Sequence, residues 1–368
     1  MNRMDDLNDI RLIGRTYFDV REQSVLFFFT ASGFEVAFIG STIKALFRST
    51  NSKQPDKRAY VVALIDEDDN PLETDDKTFV LDGQETQIVI TGLENKYHRI
   101  KFLKRNEASD SVIALKRIET DGKIVKAPDA NDFKIQFIAA SSSTGYGNLG
   151  NLHTPKTTGN SDGLKGFAFL TAYMLGAECE IFAASGWGAT RGWNTGGNIS
   201  ATQNIPAAYE YYAIDEHNKV FTTAGLWNHQ KDIPDVIVMN LGTNDFNSCG
   251  YGEMSMEEKK DADDLFIRQY SLFIERLHNL YPQAPIIVAY GLMGDKKIVE
   301  KPTLEAIERV NRQIEKNIIF PFVMEAAGSG GNPYGSDYHP NVITHANVAR
   351  KLAARICLLT GREIVHDI

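Results

Sequence analysis

The sequence predicts an α/β domain with a mostly parallel sheet, preceded by a β-sandwich domain. Residues from about 11 to 125 contain short runs rich in β-branched and aromatic residues with turn clusters between them, a spacing typical of a sandwich or jelly roll. After residue 132, strand-like runs alternate with helical segments, which indicates a parallel sheet with helices on both faces. The polar turn at residues 127–132 separates the two patterns, so we place the domains at residues 1–128 and 129–368.

Composition excludes several classes of protein. The 368 residues carry a formal net charge of −9, whereas a nucleic-acid-binding protein would show a basic footprint. The richest apolar run, residues 25–29, is too short to cross a bilayer. Three cysteines far apart in sequence predict neither a disulfide framework nor a metal site. The amino terminus lacks the apolar core of a signal peptide, so we expect a cytoplasmic protein if the chain is complete and a secreted one if a leader has been removed.

The elements of the first domain follow from β-rich runs. Their strands are predicted at residues 34–39, 60–65, 87–90 and 98–103. The second domain should hold five strands, at 134–140, 178–184, 235–241, 285–290 and 318–325. Its clearest helix runs from Glu257 to Tyr281, because apolar side chains recur there at helical spacing. A last helix, from about Ile343 to Leu359, is expected to close the fold.

Three of the predicted parallel strands end in residues that carry chemistry. The first ends at Ser141, the second leads into Gly186, and the third leads into Asn244. Since the carboxyl ends of parallel strands lie at one edge of a sheet, a serine hydroxyl, a main-chain amide and an amide side chain can converge there. Acyl transfer needs these groups, a nucleophile flanked by donors for the oxyanion of the tetrahedral intermediate.

A general base for the serine is expected near the carboxyl terminus. His339 precedes a proline, which favours an extended loop from which the imidazole can reach the strand ends. Asp337 lies two residues before it, so its carboxylate can orient the ring if both side chains point the same way.

These residues resemble the SGNH (GDSL-type) hydrolases. Gly242-Thr-Asn-Asp245 and the Asp-x-His-Pro segment at residues 337–340 match the third and last blocks of that family. The β-rich first domain and its Lys104-Arg-Asn-Glu107 strand end make the resemblance narrower. The chain is similar to carbohydrate esterase family 2, whose members are acetyl esterases with an amino-terminal jelly roll and a three-layer α/β/α SGNH domain. The resemblance implies removal of O-acetyl groups from sugars or plant polysaccharides, often at the 6-position, without a metal or cofactor.

The resemblance also implies roles for individual residues. Ser141 would be the nucleophile and His339 the base, with Asp337 orienting the ring. The amides of Ser141 and Gly186 and the side chain of Asn244 would form the oxyanion hole. We further predict that Trp187, Tyr338 and Trp193 bind substrate, with the rings of Trp187 and Tyr338 stacking on a sugar and the loop of Trp193 shaping the acceptor site.

One departure leaves alternatives open. The first block of the family reads Gly-Asp-Ser, and here Ala140 precedes Ser141. A carbohydrate-binding protein with weakened catalysis on the same fold is therefore an alternative, as is a lipase or thioesterase of the GDSL type. A third alternative is a nucleotide-binding enzyme, because residues 145–150 fit the dinucleotide fingerprint after a strand.

Overall fold

The structure is a computed structural model that describes residues 9–66, 70–193, 203–247, 250–314 and 318–368. Its first domain is a β-sandwich of two antiparallel sheets. One sheet has the order β1-β4-β9-β6-β7, with β11 paired to β4, and the other has the order β2-β3-β10-β5-β8. The strands are β1 (Arg11–Ile13), β2 (Thr16–Asp19), β3 (Ser24–Phe27), β4 (Gly33–Gly40), β5 (Ile43–Ser49), β6 (Ala59–Ile65), β7 (Thr78–Leu81), β8 (Glu85–Ile90), β9 (Lys96–Lys104), β10 (Ile113–Thr120) and β11 (Lys123–Val125).

The second domain is a three-layer α/β/α unit, which confirms the predicted fold class. Its sheet has the order β13-β12-β14-β15-β16, and all the pairings are parallel. The predicted boundary at residue 128 falls between β11 and β12. The strands are β12 (Lys134–Ala139), β13 (Glu178–Ala183), β14 (Val236–Asn240), β15 (Ile286–Tyr290) and β16 (Ile319–Val323). The helices are α1 (Phe167–Met174), α2 (Ile205–Ala208), α3 (Thr243–Asn247), α4 (Met256–Leu280), α5 (Lys296–Ile314) and α6 (Val342–Thr360).

Helices cover both faces of this sheet because its central strands are apolar on both sides. Phe137 of β12 packs into one buried cluster with α1 and α6, and Ile138 packs into another with α4 and α5. Helix α4 presents the predicted apolar stripe to that second cluster. It begins with a capping box in which Ser255 and Glu258 bind each other's main-chain amides. Within the described ranges, no helix is long and apolar enough to span a membrane. Cys179 and Cys357 carry free thiols, and Cys249 lies outside the described residues.

The first domain packs against β13, the edge strand of the parallel sheet. Both buried clusters of the second domain continue into the first domain, through Phe28 and Phe29 on one side and Leu64 and Leu103 on the other. An edge strand that is covered in this way cannot pair with another chain. The two domains therefore share a continuous apolar interface.

A buried ion pair crosses that interface. Arg15, which is 1% exposed, donates from Nε to Glu180 of β13 at 3.1 Å and from Nη1 to the carbonyls of Tyr209 and Tyr211 at 2.8 and 2.9 Å. Its guanidinium also lies 4.5 Å from the centre of the Phe182 ring. Lys134 binds the other oxygen of Glu180 at 2.8 Å. Because buried charges are stable only when they are paired and hydrogen-bonded, Arg15 links the two domains specifically.

We predict that Arg15→Ala lowers the free energy of unfolding by about 3 kcal/mol, because it removes one of the two cations that neutralise a buried carboxylate. The matched control is Arg48→Ala, since Arg48 pairs with Glu22 in a solvent-exposed position. The control should change stability by less than about 0.5 kcal/mol. Urea unfolding of both variants measures the difference. Equal losses for the two variants would contradict the importance of the interdomain pair.

Candidate active site

The register of the parallel sheet brings three strand ends together. Ala139 of β12 pairs with Ala183 of β13 on one side and with Asn240 of β14 on the other. The residues that follow each strand therefore emerge at the same edge, as expected for ligand sites in open α/β sheets. Ser141, Gly186 and Asn244 are all within a few residues of these strand ends.

A tight turn and the side chain of the next residue, Ser142, hold Ser141 in place. It opens a 3-10 turn at residues 141–143, and its carbonyl accepts from the Thr144 amide at 3.0 Å and the Thr144 hydroxyl at 2.9 Å. The Ser142 hydroxyl donates to the Asn240 side chain at 2.6 Å, and Asn240 donates to the carbonyl of Ala289 at 3.0 Å. These bonds fix the end of β12 relative to β14 and β15.

His339 contacts Ser141 directly. Its Nε2 lies 2.8 Å from Ser141 Oγ, and its Nδ1 lies 3.0 Å from the main-chain carbonyl of Asp337. A carbonyl can only accept, so Nδ1 carries the proton and Nε2 is free to accept the serine proton. Burial lowers the pKa of His339 below its ordinary value, and the nearby Asp337 carbonyl and carboxylate offset part of that effect. The neutral imidazole that a general base requires is therefore favoured.

The prediction that the Asp337 carboxylate orients the His339 ring is wrong. The main-chain carbonyl of Asp337 orients the ring. The carboxylate accepts instead from the Tyr146 hydroxyl at 3.1 Å. The reason is the main chain, which turns through left-handed conformations at Asp337 (φ 49°) and Tyr338 (φ 61°). Non-glycine residues rarely adopt such angles, and the pattern of residue types did not indicate them.

Tyr146 is a site residue that the sequence did not reveal. Its ring stacks on the His339 imidazole with centroids 4.1 Å apart and planes inclined by 25°. The stack and the bond to Asp337 hold the imidazole from one side. Tyr146 lies between two glycines in the segment that fits the dinucleotide fingerprint, and no local signal linked it to a histidine nearly two hundred residues later.

The predicted oxyanion donors also lie at this edge. Within the described ranges, neither the Ser141 amide nor the Gly186 amide donates a hydrogen bond to protein. Asn244 is 7% exposed and donates from Nδ2 to the Trp187 carbonyl at 2.7 Å, which fixes the amide group and leaves its second N–H available. Free donors fixed in advance are what stabilisation of an oxyanion requires.

The buried carboxylate of Asp245 shapes the loop after Gly186. It accepts from the main-chain amides of Ala189, Thr190 and Arg191 at 3.0, 2.6 and 2.9 Å, and from the Thr190 hydroxyl at 2.7 Å. Burial raises the pKa of Asp245, and these four donors oppose the rise. Asp245 therefore links the loop after the second strand to the segment after the third, a role that the residue pattern did not indicate.

The three predicted sugar-binding aromatic residues differ in position. Trp187 is fully buried, and its Nε1 donates to Asn218 at 2.7 Å, so its ring cannot stack on a sugar and that prediction is wrong. The loop turns Trp187 into the apolar core because a large ring gains more free energy by burial there than in solvent. Tyr338 and Trp193 are 64% and 46% exposed. Trp193 donates from its amide to the Gly186 carbonyl at 2.7 Å, while residues 194–198 of the same loop lie outside the described residues.

The glycines of the dinucleotide-like segment serve internal packing. A Cβ at Gly145 would lie 2.3 Å from the main chain of Asp162, and one at Gly147 would lie 2.5 Å from the Ser336 side chain. Turns, and not a helix, follow this segment. The glycines therefore permit close approach of neighbouring chain segments, which argues against the nucleotide-binding alternative. In the described part of the chain, no group of three or more histidine, cysteine or acidic side chains is arranged to hold a metal ion.

Known proteins resemble this chain in both sequence and fold. Residues 12–128 match the family model "Carbohydrate esterase 2 N-terminal". A solved family two carbohydrate esterase from Clostridium thermocellum, in complex with cellohexaose, superposes with a TM-score of 0.80 at 24% identity, covering 96% of this chain and 99% of the other. The first domain therefore matches the amino-terminal domain of carbohydrate esterase family 2, and the whole chain is similar in fold to an esterase of that family.

Two curated relatives match most of the length of this chain. The acetylxylan esterase/glucomannan deacetylase of Cellvibrio japonicus is 26% identical over 351 residues, which is 94% of this chain and 88% of the relative. Cellulase/esterase CelE of Acetivibrio thermocellus is 28% identical over 338 residues, which is 88% of this chain. The match spans 38% of the length of CelE, so CelE contains a large part that has no counterpart here.

We predict that Asp337→Asn retains kcat within about 5-fold of wild type. The substitution keeps the main-chain carbonyl that binds His339, and asparagine tolerates left-handed backbone. Loss of a true triad carboxylate would instead cost about 10⁴-fold. Steady-state hydrolysis of 4-nitrophenyl acetate measures the effect, with His339→Gln as the control that should remove the base. A loss of about 10³-fold or more in Asp337→Asn would contradict the role of the carbonyl.

We also predict the pH dependence of kcat/KM. Protonated His339 cannot accept the Ser141 proton, so activity falls as the pH falls through the pKa of His339. Because burial lowers that pKa, the midpoint should lie below about 6.5, the ordinary histidine value, with a plateau at neutral pH. The Asp337 carboxylate raises the same pKa, so Asp337→Asn should move the midpoint to lower pH. A midpoint clearly above 6.5, or an opposite shift, would contradict this assignment.

Proposed function

We propose that the chain is a serine esterase that removes O-acetyl groups from sugars or plant polysaccharides through an acyl-serine intermediate. The observation that carries the proposal is the 2.8 Å contact between Ser141 Oγ and His339 Nε2. The Nδ1 contact with a main-chain carbonyl leaves Nε2 as the acceptor. A serine paired with an oriented base, beside free amide donors, supports acyl transfer.

In the acylation step, the serine, the histidine and the oxyanion donors each have one role. Ser141 Oγ attacks the acetyl carbonyl carbon while its proton passes to His339 Nε2. The oxyanion that forms would be stabilised by the amides of Ser141 and Gly186 and by the Asn244 side chain, and each such donor is typically worth roughly 3 kcal/mol. When the tetrahedral intermediate collapses, the sugar oxygen leaves and takes the proton from Nε2.

Deacylation repeats these steps with water in place of the serine. His339 accepts a proton from water, the hydroxide attacks the acetyl carbonyl, and the same donors stabilise the second oxyanion. The intermediate releases acetate, and Ser141 recovers its proton from Nε2. No atom of the protein is consumed in the cycle.

Three observations support a carbohydrate ester as the substrate. The Cellvibrio japonicus relative is named an acetylxylan esterase and glucomannan deacetylase, and the Clostridium thermocellum esterase was solved with cellohexaose. In this chain, Tyr338 directly precedes His339 and the Trp193 amide binds the Gly186 carbonyl, and both side chains are exposed, which makes them available for stacking against sugar rings.

A carbohydrate-binding protein with weak catalysis is the second candidate, and the observation that favours it is Ala140. The aspartate usual at this position would supply hydrogen bonds that alanine cannot. The bonds of Ser142 to Asn240 and of Thr144 to Ser141 supply other support for the nucleophile. We therefore rank the esterase first. A lipase or thioesterase would differ from both in preferring long acyl chains.

Acetate release from acetylated xylan, acetylated glucomannan and 4-nitrophenyl acetate tests the function. We expect wild-type protein to release acetate and Ser141→Ala to be slower by about 10⁴-fold or more. The matched control is Ser143→Ala, because the Ser143 hydroxyl is buried and has no hydrogen-bond partner in the described part of the chain. Removal of an unpaired hydroxyl should leave the rate unchanged.

Other outcomes would favour the alternatives. If wild type and Ser141→Ala are equally slow but bind cello-oligosaccharides with equal affinity, the carbohydrate-binding candidate replaces the esterase. If 4-nitrophenyl octanoate is hydrolysed with a much higher kcat/KM than 4-nitrophenyl acetate, the lipase candidate replaces it.

A further inference from the structure

A carboxylate of the first domain reaches the active-site edge of the second. Glu107 lies just beyond β9 and is 3% exposed. Its Oε2 accepts from the Ser185 amide at 2.9 Å, and its Oε1 accepts from the Ser185 hydroxyl at 2.7 Å. Ser185 directly precedes Gly186, so both oxygens of one buried carboxylate are used to hold the main chain next to a predicted oxyanion donor.

The turn that carries Glu107 is itself fixed. The buried ammonium of Lys104 donates to the carbonyl of Glu107 at 2.9 Å and also to the carbonyl of Asn106. The Asn106 side chain donates to the carbonyls of Thr158 and Ser161 in the second domain, each at 3.1 Å. These bonds already restrain the main chain at Glu107. Little further main-chain conformational entropy is therefore lost when the Glu107 side chain binds Ser185.

A lysine of the second domain balances the charge of Glu107. Lys156 lies 3.6 Å from Glu107 Oε1 and also pairs with Asp110. Its ammonium is 5.3 Å from the centre of the Tyr146 ring, which stacks on His339. A buried carboxylate would be costly without such a partner. The cluster therefore contacts both the Gly186 side and the His339 side of the site.

We propose that Glu107 is a positioning residue that holds Ser185 and thereby fixes the oxyanion loop of the second domain, which we define as residues 185–193. This inference rests on the proposed esterase function, because it assigns a role to the Gly186 amide in that reaction. According to this proposal, the first domain supports catalysis by positioning Gly186, whether or not it also binds sugar.

The need for such a residue follows from the conformation of Gly186. Its φ of 81° lies in the left-handed region that glycine enters at little cost. The same freedom allows the amide to rotate unless its neighbours are held. The Trp193 amide holds the Gly186 carbonyl on one side, and Glu107 holds Ser185 on the other. Catalysis by a preorganised donor depends on this restraint, since a displacement of about 1 Å can cost about 10²-fold in rate.

The test compares Glu107→Ala with Glu107→Gln by steady-state hydrolysis of 4-nitrophenyl acetate. We expect Glu107→Ala to lower kcat by about 10- to 100-fold, with KM within about 3-fold, because the oxyanion exists only after the substrate has bound. Glu107→Gln should keep kcat within about 3-fold of wild type, because its Oε1 can accept from the Ser185 amide and its Nε2 can donate to the hydroxyl.

Glu35→Ala is the matched control. Glu35 is also a buried carboxylate of the first domain, with Arg11 and Arg99 as partners, and Arg11 contacts the opposite end of β13 at Glu178. We expect this variant to lose stability, as Glu107→Ala does, but to keep the wild-type kcat per folded molecule. If Glu107→Ala does not fold, Glu107→Asp serves instead, since it keeps the charge but is one methylene too short for both contacts. It should lower kcat by about 10-fold.

The outcomes separate this inference from the proposed function. If the wild-type rate equals that of Ser141→Ala, the esterase proposal fails, and the role of Glu107 fails with it. If wild type is active and Ser141→Ala is not, but Glu107→Ala or Glu107→Asp keeps the wild-type kcat, the role of Glu107 alone is overturned. A fall in kcat equal to that of Glu35→Ala would also overturn it, because the effect would then be one of general stability.

Discussion

The first domain holds the edge strand β13 along its whole length, and the geometry of the active site depends on that attachment. Arg11 pairs with Glu178 at the beginning of the strand, Arg15 with Glu180 in its middle, and Glu107 with Ser185 just after its end. Most of these charged side chains are buried against partners in the other domain, and such buried pairs form only in one relative arrangement of the domains. The two domains are therefore stable together in one arrangement, and the last of the three contacts lies beside Gly186.

The parallel sheet determines where the chemistry lies, and local bonds determine how well it is arranged. The register of β12 with its two neighbours places Ser141, Gly186 and Asn244 at one edge. The sheet register alone does not fix the backbone conformation of the loops that carry these residues. Asp245 fixes the loop after Gly186 through three amides and a hydroxyl, and the stack of Tyr146 on His339 fixes the base. The precision of the site thus depends on side chains that take no direct part in the proposed reaction.

Much of the fold could be predicted from hydrophobic periodicity, and the five strands of the second domain lie within one or two residues of their predicted ends. The order of chemical groups at the strand ends likewise indicated Ser141 and His339. Side-chain direction in loops could not be predicted, because it depends on tertiary packing: Trp187 faces the core, and left-handed backbone at Asp337 presents a carbonyl to His339. Tyr146 and Glu107 could not be recognised as site residues for a similar reason. Their partners, His339 and Ser185, lie far from them in the sequence.

Ala140, at the position where the resembling family has an aspartate, lies in an apolar core that the two domains share. Ala140 is 7% exposed and belongs to an apolar cluster that includes Phe28 and Phe29 of the first domain. A carboxylate placed in an apolar cluster stays charged only if it has a hydrogen-bonded or charged partner. Support for Ser141 comes from polar groups on its other side, where Ser142 binds Asn240. The residue before the nucleophile thus shares an apolar cluster with first-domain side chains, while Ser185, next to Gly186, is hydrogen-bonded to Glu107 of the first domain.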